Sequence, residues 1–495
     1  MPLNRRAFLH ATGATATAAA LTNCGGTHPA SLAGPPDPPI DLPALARTLS
    51  GPLITPNQAG YDLARRSFNP LFDNRRPAAI AQCRRIEDVQ GCVSAAAVAG
   101  APIAARSGGH SYAGYSTPDG ALIADLSGMS SVQVDADGTA VIGAGARLID
   151  VYTALAGAGR CLPAGTCPSV GIAGLTLGGG IGMLSRKYGL TCDRLVAATV
   201  VTADGTSRMA SASAEPDLFW AVRGGGGGNF GIVTSFTFDT VPAPHLTVFS
   251  LDFPAGSVPD VLGGWQQWII SMPDELSSSC HISGGSPPTC TVIGCHVGPA
   301  QALNPLLADL THRIGKVPTL RTVAELDYLD AMRYFAGCSD KSVIECHDQA
   351  SGKKWNREAF VASSRVLSAA VADPAQIGSV FDGRTVFVIV DGLGGAISRI
   401  TPAGTAFPHR DALATMQIYL RTSPADQLAA ASSVAQMRDQ LTGVVGGGAY
   451  VNYIEAALPD WAHAYYGDNL TRLRQIALRY DPDQLFSFPQ AITSA

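Results

Sequence analysis

Hydrophobic positions along the chain follow two different periods, and the mixture of the two predicts both helices and strands. Between residues 87 and 98 the apolar side chains recur at helical spacing, at Val89, Cys92, Val93 and Ala96. Residues 147–159 continue in a second helical pattern that ends at a glycine. The short apolar runs at 102–106 and 121–126 predict buried strands, and Asp-Gly pairs at 137–138 and 204–205 predict β-hairpins. Because no regular βαβ repeat emerges, the pattern indicates an α+β fold.

The composition changes near residue 241 and again near residue 440. From 241 to 440, strand-like runs (TVIGCHV, TVFVIVDGL, MQIYLR) alternate with helical ones (LNPLLADLTHRIG, ADQLAAASSVAQMRDQL). This alternation predicts a second domain with an antiparallel sheet backed by helices. Residues 441–495 are aromatic and polar. We therefore divide the chain into a first domain at 50–240, a second at 241–440 and a C-terminal segment at 441–495 that completes the first.

The N-terminal residues have the pattern of an export signal. The twin arginines of NRRAFLH (4–10) precede a weakly apolar stretch rich in Ala and Thr, which predicts recognition by the twin-arginine export machinery and a secreted or periplasmic protein. LTNCGG (21–26) is similar to a lipobox, so acylation of Cys24 is an alternative, although Asn23 is not the usual small residue. Residues 27–43, rich in Pro, Gly and Ser, indicate a flexible tether.

Composition and charge exclude several classes of function. The chain has 495 residues, of which 46% are hydrophobic and 15% charged, and its net charge is −5. This composition suits large buried cores and gives no basic patch for nucleic acid. No apolar run reaches the ~18 residues of a membrane span. Among the eleven cysteines there is no C-x-x-C pair that would suggest zinc. Cys338 and Cys346 bracket a short segment and are candidates for a disulfide, whereas Cys290 and Cys295 would face opposite sides of one strand.

Three glycine-rich clusters, at 105–116, 171–190 and 223–238, are the strongest signal in the first domain. Backbone N–H groups freed by glycine can surround a pyrophosphate without any lysine. None of the clusters fits a P-loop or a G-x-G-x-x-G fingerprint, so we expect a dinucleotide bound outside the Rossmann style. The alternative is that the glycines serve packing alone. The candidate cofactor-binding residues in these clusters are Arg106, Ser107, Gly108, Gly109, Ser111, Gly171, Gly174, Gly178, Gly179, Gly182, Gly228, Asn229, Gly231 and Ile232.

Two reactive side chains stand at the ends of these clusters. His110 ends the first cluster and Cys167 precedes the second. Each alone could be an ordinary hydrogen-bonded histidine or a buried thiol. A metal site would need a third and a fourth ligand at suitable spacing, which the sequence does not supply.

Five motifs in order resemble the berberine-bridge-enzyme-like flavin oxidases, within the vanillyl-alcohol-oxidase or PCMH type of FAD fold. They are RSGGHS, PAGTCPSVGIAGLTLGGGIG, GGGGGNFGIVT, TAFPHR and YVNYIE with the sequence that follows it, and the resemblance covers residues 60–492. It implies an FAD-binding domain of two subdomains beside the substrate domain. It further implies FAD attached twice, through His110 to the 8α-methyl group and through Cys167 to flavin C6.

The same resemblance assigns the active site. Tyr453 matches the family's tyrosine base, Asn452 would orient it by a hydrogen bond, and Asp391 falls where the family has a second active-site residue. Val170 matches the small residue beside the flavin where oxygen approaches, which favours an oxidase. The sequence departs from the family at Glu455, where aspartate is usual, and at Leu175, where plant members have histidine.

The assignment of Tyr453 carries a requirement. A tyrosine ionises near a pKa of about 10, so we expect cationic or hydrogen-bonding neighbours to lower the pKa of Tyr453 toward neutrality. A carboxylate beside it would oppose this, so we expect Asp391 to bind the substrate hydroxyl or to accept the proton of Tyr453. On composition alone, Tyr450 and Tyr453 could be core aromatics and Asp391 a turn residue.

The resemblance implies a flavoprotein oxidase that moves a hydride from an alcohol or hemiacetal carbon to FAD, with O2 reduced to H2O2. One alternative is a dehydrogenase with another electron acceptor, and a second is a flavin-binding module without catalysis. Relatives act on sugars, oligosaccharides and secondary metabolites, and the sequence does not choose among these small-molecule substrates.

Overall fold

The computed structural model describes residues 40–347 and 357–494. The export signal, Cys24 and most of the tether predicted at 27–43 lie outside the described residues. Helix α1 (Leu42–Thr48) begins within the last two residues of the predicted tether, so the prediction is wrong for Leu42 and Pro43. Asp41 caps this helix by accepting a hydrogen bond from the Ala44 amide (2.8 Å), and Pro43 is tolerated in its first turn.

The first subdomain is a small sheet covered by a helix. Its elements are α1, β1 (Leu53–Ile54), α2 (Tyr61–Ala64), β2 (Ala79–Gln82), α3 (Ile86–Ala99), β3 (Ile103–Arg106) and β4 (Leu122–Asp125). The strand order is β1-β2-β4-β3, in which β4 is parallel to both β2 and β3. The predicted helix and both predicted strands are confirmed, and the apolar stripe of α3 at Val89, Cys92, Val93 and Ala96 is fully buried.

The second subdomain is an antiparallel sheet of five strands in the order β5-β6-β10-β8-β9. The strands of this sheet and the elements between them in the chain are β5 (Val132–Val134), β6 (Thr139–Gly143), α4 (Leu148–Gly157), β7 (Arg160–Cys161), α5 (Ile172–Leu177), α6 (Ser185–Tyr188), β8 (Leu195–Val201), β9 (Ser207–Ser211), α7 (Pro216–Ala221) and β10 (Ile232–Asp239). Both predicted hairpins are confirmed. Their turn glycines, Gly138 and Gly205, have φ of 88° and 73°, which explains why glycine stands there.

The second domain contains a sheet of seven antiparallel strands. This sheet confirms the predicted antiparallel sheet backed by helices. After β11 (Val241–Pro242), which pairs with β7, come β12 (Leu246–Asp252), α8 (Val258–Ser271), β13 (Leu276–Ser283), β14 (Thr289–Val297), α9 (Ala300–Ile314), β15 (Leu320–Leu326), α10 (Tyr328–Phe335), α11 (Val343–His347), β16 (Phe360–Leu367), α12 (Ala375–Phe381), β17 (Phe387–Gly392), β18 (Ala414–Arg421) and α13 (Gln427–Val445). The strand order is β15-β12-β14-β13-β17-β18-β16.

The two faces of this sheet differ in polarity because side chains alternate along each strand. Cys280, Val390 and Met416 point to one face, where they join a core that includes Trp265 and Trp268 of α8. The neighbouring residues point to the other face. Ser279 of β13 pairs with Asp391 of β17, which in turn pairs with Thr415 of β18. The sheet therefore presents a line of polar groups on the side opposite its helices.

The C-terminal segment returns to the first two subdomains. It contains α14 (Trp461–Tyr466) and α15 (Leu470–Tyr480), and α15 packs into the core of the first two subdomains through Leu473 and Ile476. The side-chain oxygen of Asn229 accepts a hydrogen bond from the Ile492 amide (3.0 Å), and the Tyr466 hydroxyl donates to the Gly225 carbonyl (3.1 Å). The segment is thus tied to the third glycine cluster.

Covalent and membrane features complete the fold. A disulfide joins Cys338 to Cys346, as predicted, and Cys290 and Cys295 are not in disulfides. Across residues 40–347 and 357–494, no helix has the length and apolar character of a membrane span. The same residues hold no group of three or more His, Cys, Asp or Glu side chains that could bind a metal ion.

A buried ion pair links the loop 405–410 to the segment between α6 and β8. Arg410 is fully buried and forms two hydrogen bonds of 2.7 Å with the Asp193 carboxylate. We expect Arg410→Leu to destabilise the protein by about 3–5 kcal/mol, because it leaves Asp193 buried without its charge partner. The measurement is the shift in thermal and urea unfolding.

The matched control for this prediction is Arg313→Leu. Arg313 pairs with Asp309 at 2.9 Å on the surface of α9, four residues apart, where an ion pair contributes at most about 1 kcal/mol. Equal losses of stability in the two variants would contradict the prediction.

Candidate functional site

The first two glycine clusters meet backbone to backbone. A Cβ atom added to Gly108 would lie 2.3 Å from the Gly171 nitrogen, and one added to Gly171 would lie 2.1 Å from the Ser107 hydroxyl. Any side chain at either position would therefore force the two loops apart. Gly109 has φ of 69°, and its carbonyl accepts a hydrogen bond from the Phe68 amide (3.0 Å). The contact between Gly108 and Gly171 brings the end of the first cluster and the start of the second to one place.

His110 and Cys167 share a single hydroxyl group. The His110 Nε2 atom lies 3.0 Å from Ser169 Oγ, and Cys167 Sγ lies 3.8 Å from the same oxygen. The imidazole stacks on the Phe68 ring, with 4.0 Å between the ring centroids. Burial lowers the pKa of His110 to about 3, and the charge of Arg147 acts in the same direction. The ring is therefore neutral at neutral pH and keeps one nucleophilic nitrogen.

The polar side chains of the first cluster support the loop. Arg106 is buried in an ion pair with Asp125 (2.5 Å) and donates to the Ala64 carbonyl (2.6 Å). Ser107 donates to the Ala144 carbonyl (2.5 Å), and Ser111 Oγ accepts from the Tyr115 amide (3.1 Å). Because these groups are used within the protein, a cofactor would meet the backbone of this loop more than its side chains.

Several glycines of the second cluster allow close packing. A Cβ atom on Gly178 would lie 2.0 Å from the Asn452 side-chain oxygen, and one on Gly182 would lie 1.8 Å from the Ala164 carbonyl oxygen. Gly179 has φ of 118°, a conformation that favours glycine. Gly174 differs, because a Cβ there would meet no protein atom within 4 Å.

The third cluster serves packing to a larger extent than the sequence analysis expected. Amides of Gly224 and Gly226 donate to the Leu177 carbonyl at the end of α5 (3.0 and 2.9 Å). The four predicted cofactor-binding residues of this cluster have roles within the fold. Gly228 has φ of 80°, Asn229 binds the Ile492 amide, a Cβ on Gly231 would meet the Val201 carbonyl at 2.5 Å, and Ile232 is buried in β10.

Tyr453 and Asp391 come together across the boundary between the C-terminal segment and the sheet. The Tyr453 hydroxyl donates to Asp391 Oδ2 (3.4 Å), and the Ser279 hydroxyl donates to Oδ1 of the same carboxylate (2.5 Å). The Tyr450 ring meets Tyr453 edge to face, with 5.0 Å between centroids. The structure therefore brings the two predicted catalytic residues into contact.

The electrostatics of this pair correct one expectation. Burial raises the pKa of the Asp391 carboxyl above its ordinary value, although hydrogen bonds from Ser279 and Tyr453 oppose the change. Burial and the Asp391 charge raise the pKa of Tyr453 well above its ordinary value. The expectation that neighbours lower the pKa of Tyr453 is therefore wrong. Tyr453 holds its proton at neutral pH.

Asn452 contacts a different tyrosine from the one expected. Its side-chain nitrogen donates to the Tyr450 hydroxyl (2.8 Å) and to the Leu175 carbonyl (2.9 Å). The Tyr450 hydroxyl also accepts from the Gly180 amide (3.0 Å). Asn452 thus fixes Tyr450 and joins the C-terminal segment to the second glycine cluster. The Tyr450 ring that it fixes in turn contacts the Tyr453 ring.

Five residues that the sequence analysis missed belong to the site: Phe68, Tyr112, Ser169, Ser279 and Gln417. Tyr112 stacks on Tyr453 with 5.9 Å between centroids, and its hydroxyl accepts a hydrogen bond from Gln417 Nε2 (2.5 Å). The alternation in β18 was an available signal, because Thr415, Gln417 and Tyr419 are polar residues between apolar ones. Ser169 lies between Cys167 and Gly171 but has no feature of its own in the sequence.

A row of aromatic rings connects the two halves of the site. Phe68 contacts both His110 (4.0 Å) and Phe360 (6.4 Å), and Phe360 meets Tyr112 edge to face at 4.9 Å. Tyr112 then stacks on Tyr453. These rings form an aromatic wall, whose flat faces suit a planar cofactor and a ring-shaped substrate.

Polar atoms in the same region suit a ligand rich in hydroxyl and amide groups. The hydroxyls of Thr176 and Thr415 are buried and have no hydrogen-bond partner within the described part of the chain. Buried polar groups are normally paired, so these oxygens fit contacts with a bound molecule. Thr176 lies on α5 beside the second cluster, and Thr415 lies opposite Asp391 on the polar face of the sheet.

Two family models match parts of this chain. Residues 77–211 match the family model for an FAD binding domain, and residues 449–493 match the model described as berberine and berberine like. The first match contains His110 and Cys167, and the second contains Asn452 and Tyr453.

Similar proteins extend the match to most of the chain. The chain is 34% identical to the xylooligosaccharide oxidase of Thermothelomyces thermophilus over 453 residues, 85% of this chain and 88% of that protein. It is 32% identical to the chitooligosaccharide oxidase of Gibberella zeae over 450 residues, 84% of this chain and 87% of that protein. The solved structure of BBE-like 1 from Physcomitrella patens superposes with a TM-score of 0.85 at 30% identity, over 92% of this chain and 99% of that one.

Proposed function

The chain belongs to the berberine-bridge-enzyme-like family of FAD-linked oxidoreductases, and we propose that it is a carbohydrate oxidase with bicovalently attached FAD. It removes two electrons and two protons from a CH–OH group of a sugar or oligosaccharide, converting it to a carbonyl. O2 takes up both electrons and both protons and becomes H2O2.

The contact between Tyr453 and Asp391 carries this proposal. It lies at the edge of the polar sheet face, beside the Tyr112 ring and the Gln417 amide. Aromatic faces next to hydroxyl, amide and carboxylate groups are a suitable surface for a sugar ring, which has apolar C–H faces and polar edges. The names of the xylooligosaccharide and chitooligosaccharide oxidases support the same substrate class.

Bound FAD would supply the hydride acceptor, and the protein moves the proton. The Tyr453 oxygen takes the proton of the substrate hydroxyl while its own proton passes to Asp391 Oδ2. The raised pKa of Asp391 makes its carboxylate a better proton acceptor than an ordinary aspartate. Ser279 holds this carboxylate in place through its hydrogen bond to Oδ1. Because the pKa of Tyr453 is raised, the two transfers occur together rather than through a free phenolate.

His110 and Cys167 are the proposed attachment points, to the 8α carbon and to C6. The shared contact with Ser169 supports this role, because it holds the two nucleophiles on one side of the site. A neutral imidazole supports it too, since only an unprotonated nitrogen can attack carbon. The two bonds would withdraw electrons from the flavin and favour hydride acceptance. They would also retain the cofactor after export by the twin-arginine route to the periplasm or the medium, with Cys24 acylation as the alternative anchor.

The proposed activity predicts peroxide release from sugars. We expect xylose-, glucose- or N-acetylglucosamine-based oligomers to give H2O2 in a peroxidase-coupled assay, and simple aromatic alcohols to give none. Catalase should abolish the signal, and the Asp391→Asn variant should reduce it. Reduction of the flavin by sugars with slow reoxidation in air would indicate a dehydrogenase instead. Reduction by aromatic alcohols alone would overturn the substrate class.

The proposed attachment predicts that flavin survives denaturation. We expect acid-precipitated protein to remain yellow and each single variant, His110→Ala or Cys167→Ala, to keep one bond. Only the double variant should release all FAD to the supernatant, as measured by its absorbance. Release of FAD from the unmutated protein would contradict bicovalent attachment.

The proton path predicts that Tyr453→Phe slows flavin reduction by roughly 10²–10⁴-fold, because the general base is lost. Stopped-flow absorbance of the flavin measures this rate, and reoxidation by O2 should stay nearly unchanged. Tyr61→Phe is the control, since the Tyr61 hydroxyl donates to the Pro77 carbonyl (2.6 Å) in a buried contact outside the site. Reduction of Tyr453→Phe at the parental rate would rule out the assignment.

The same path has a pH dependence set by Asp391. The carboxyl accepts a proton only when ionised, so flavin reduction should fall as the pH drops through its pKa. Because burial raises that pKa, the fall should begin at a higher pH than for an ordinary aspartate. Asp391→Asn should remove this acidic limb, slow reduction and raise the Michaelis constant.

A further inference from the structure

The hydroxyl of Ser169 contacts both proposed anchors. It lies 3.0 Å from His110 Nε2 and 3.8 Å from Cys167 Sγ. A hydroxyl carries one proton and two lone pairs, so it can accept a hydrogen bond from one neighbour while donating to another. The two contacts can therefore be made at the same time.

The backbone at Ser169 is held independently of its side chain. The Ile149 amide donates to the Pro168 carbonyl (3.1 Å), and the Leu148 amide donates to the Val170 carbonyl (3.0 Å). Both donors lie in the first turn of α4. On the other side, a Cβ atom on Gly108 would lie 2.9 Å from the Ser169 carbonyl oxygen, so the first cluster packs against this backbone. Loss of the hydroxyl alone should leave the loop in place.

The ring of His110 is fixed in two directions. Phe68 stacks on its face at an interplanar angle of 19°, and Ser169 contacts its Nε2 edge. The low pKa of His110 means that the ring carries one proton. If that proton lies on Nε2, where the Ser169 hydroxyl can accept it in a hydrogen bond, Nδ1 carries the lone pair that can attack carbon.

We propose that Ser169 is a positioning residue for the covalent attachment of FAD, accepting a hydrogen bond from His110 Nε2–H and donating one to Cys167 Sγ. This proposal rests on the bicovalent attachment proposed above. Through it, one hydroxyl selects Nδ1 as the attacking nitrogen and stabilises the thiolate of Cys167. The two attachments are thereby prepared by the same group.

The chemistry of both steps balances. Nδ1 of His110 replaces one hydrogen of the 8α carbon, and the Nε2 proton leaves toward Ser169. Sγ of Cys167 replaces the hydrogen of flavin C6 and loses the thiol proton. Each substitution breaks one C–H bond, forms one C–N or C–S bond and releases two electrons and two protons. One O2 per bond takes these up as H2O2. Ser169 itself has no net change, because each proton it receives it passes on.

The test measures the rate of attachment rather than turnover. The full chain is expressed as a time course and precipitated with acid. The fraction of chains with each bond is then measured by flavin absorbance and by mass spectrometry of the His110 and Cys167 peptides. We expect Ser169→Ala to slow both attachments at least about tenfold and Ser169→Thr, which keeps the hydroxyl, to restore them.

A matched control addresses general damage. Thr153→Val removes a hydroxyl that donates to the Ile149 carbonyl (2.7 Å) on α4, the helix whose amides bind the carbonyls on either side of Ser169. Attachment in this variant should match the parent, and the unfolding temperatures of all three variants should be close. If Ser169→Ala attaches FAD at the parental rate, or if Thr153→Val is equally slow, the proposal is wrong.

Single-anchor backgrounds separate this proposal from the one on which it rests. In His110→Ala the Ser169→Ala change should still slow the bond to C6, and in Cys167→Ala it should still slow the bond to the 8α carbon. A slowing of only one bond would overturn the shared role. Absence of covalent flavin from the unmutated protein would instead overturn the bicovalent attachment itself.

Discussion

The site depends on a backbone contact between two glycines that leaves no space for a side chain at either position. Gly108 and Gly171 touch through their backbones, and this closeness is what allows the loop after β3 and the loop before α5 to share a surface. His110 is far from Cys167 and Ser169 in the sequence. The three residues become neighbours because the packing of Gly108 against Gly171 holds the two loops together. The nearby glycines of the second cluster extend the same close packing toward Asn452. Small residues here act as spacers, and the reactive side chains lie at their ends.

The other half of the site comes from a sheet with two unlike faces. Helices cover its apolar face, and its polar face contributes Ser279, Asp391 and Gln417. Buried arginines hold this sheet against the first two subdomains. Besides the pair of Arg410 with Asp193, Arg186 donates to the carbonyls of Leu276 (2.8 Å) and Met272 (3.0 Å). Burial lowers the pKa of Arg186 to about 10, so it stays charged at neutral pH.

Local patterns predicted much of this molecule, and long-range contacts account for what they missed. The stripe of α3, the Asp-Gly hairpins and the strand-like run of β18 depend on neighbours within a few residues, which a sequence displays directly. The resemblance supplied His110, Cys167, Asp391 and Tyr453. It did not supply Ser169 or Gln417, whose importance lies in partners 59 and 305 residues away. Glycine alone does not distinguish a ligand loop from tight packing, so the packing roles of the third cluster could not be read from its sequence. The hydrogen bond from Asn452 to Tyr450 depends on the folded geometry of the segment, which the sequence does not display.

The position of Tyr453 on the C-terminal segment sets an order of assembly. A ribosome makes the glycine loops, the anchors and the sheet before it makes residues 449–493, so those parts can fold first. Until the later segment arrives, Asn229 lacks its bond to Ile492, the Leu175 carbonyl lacks Asn452, and the wall around His110 and Cys167 is open on the side of Tyr450 and Tyr453. A nascent chain is therefore more open to a bulky dinucleotide than the folded chain is. Under the proposed function, the segment that closes the site also brings Tyr453 to Asp391, so the proton path is completed when the site is enclosed.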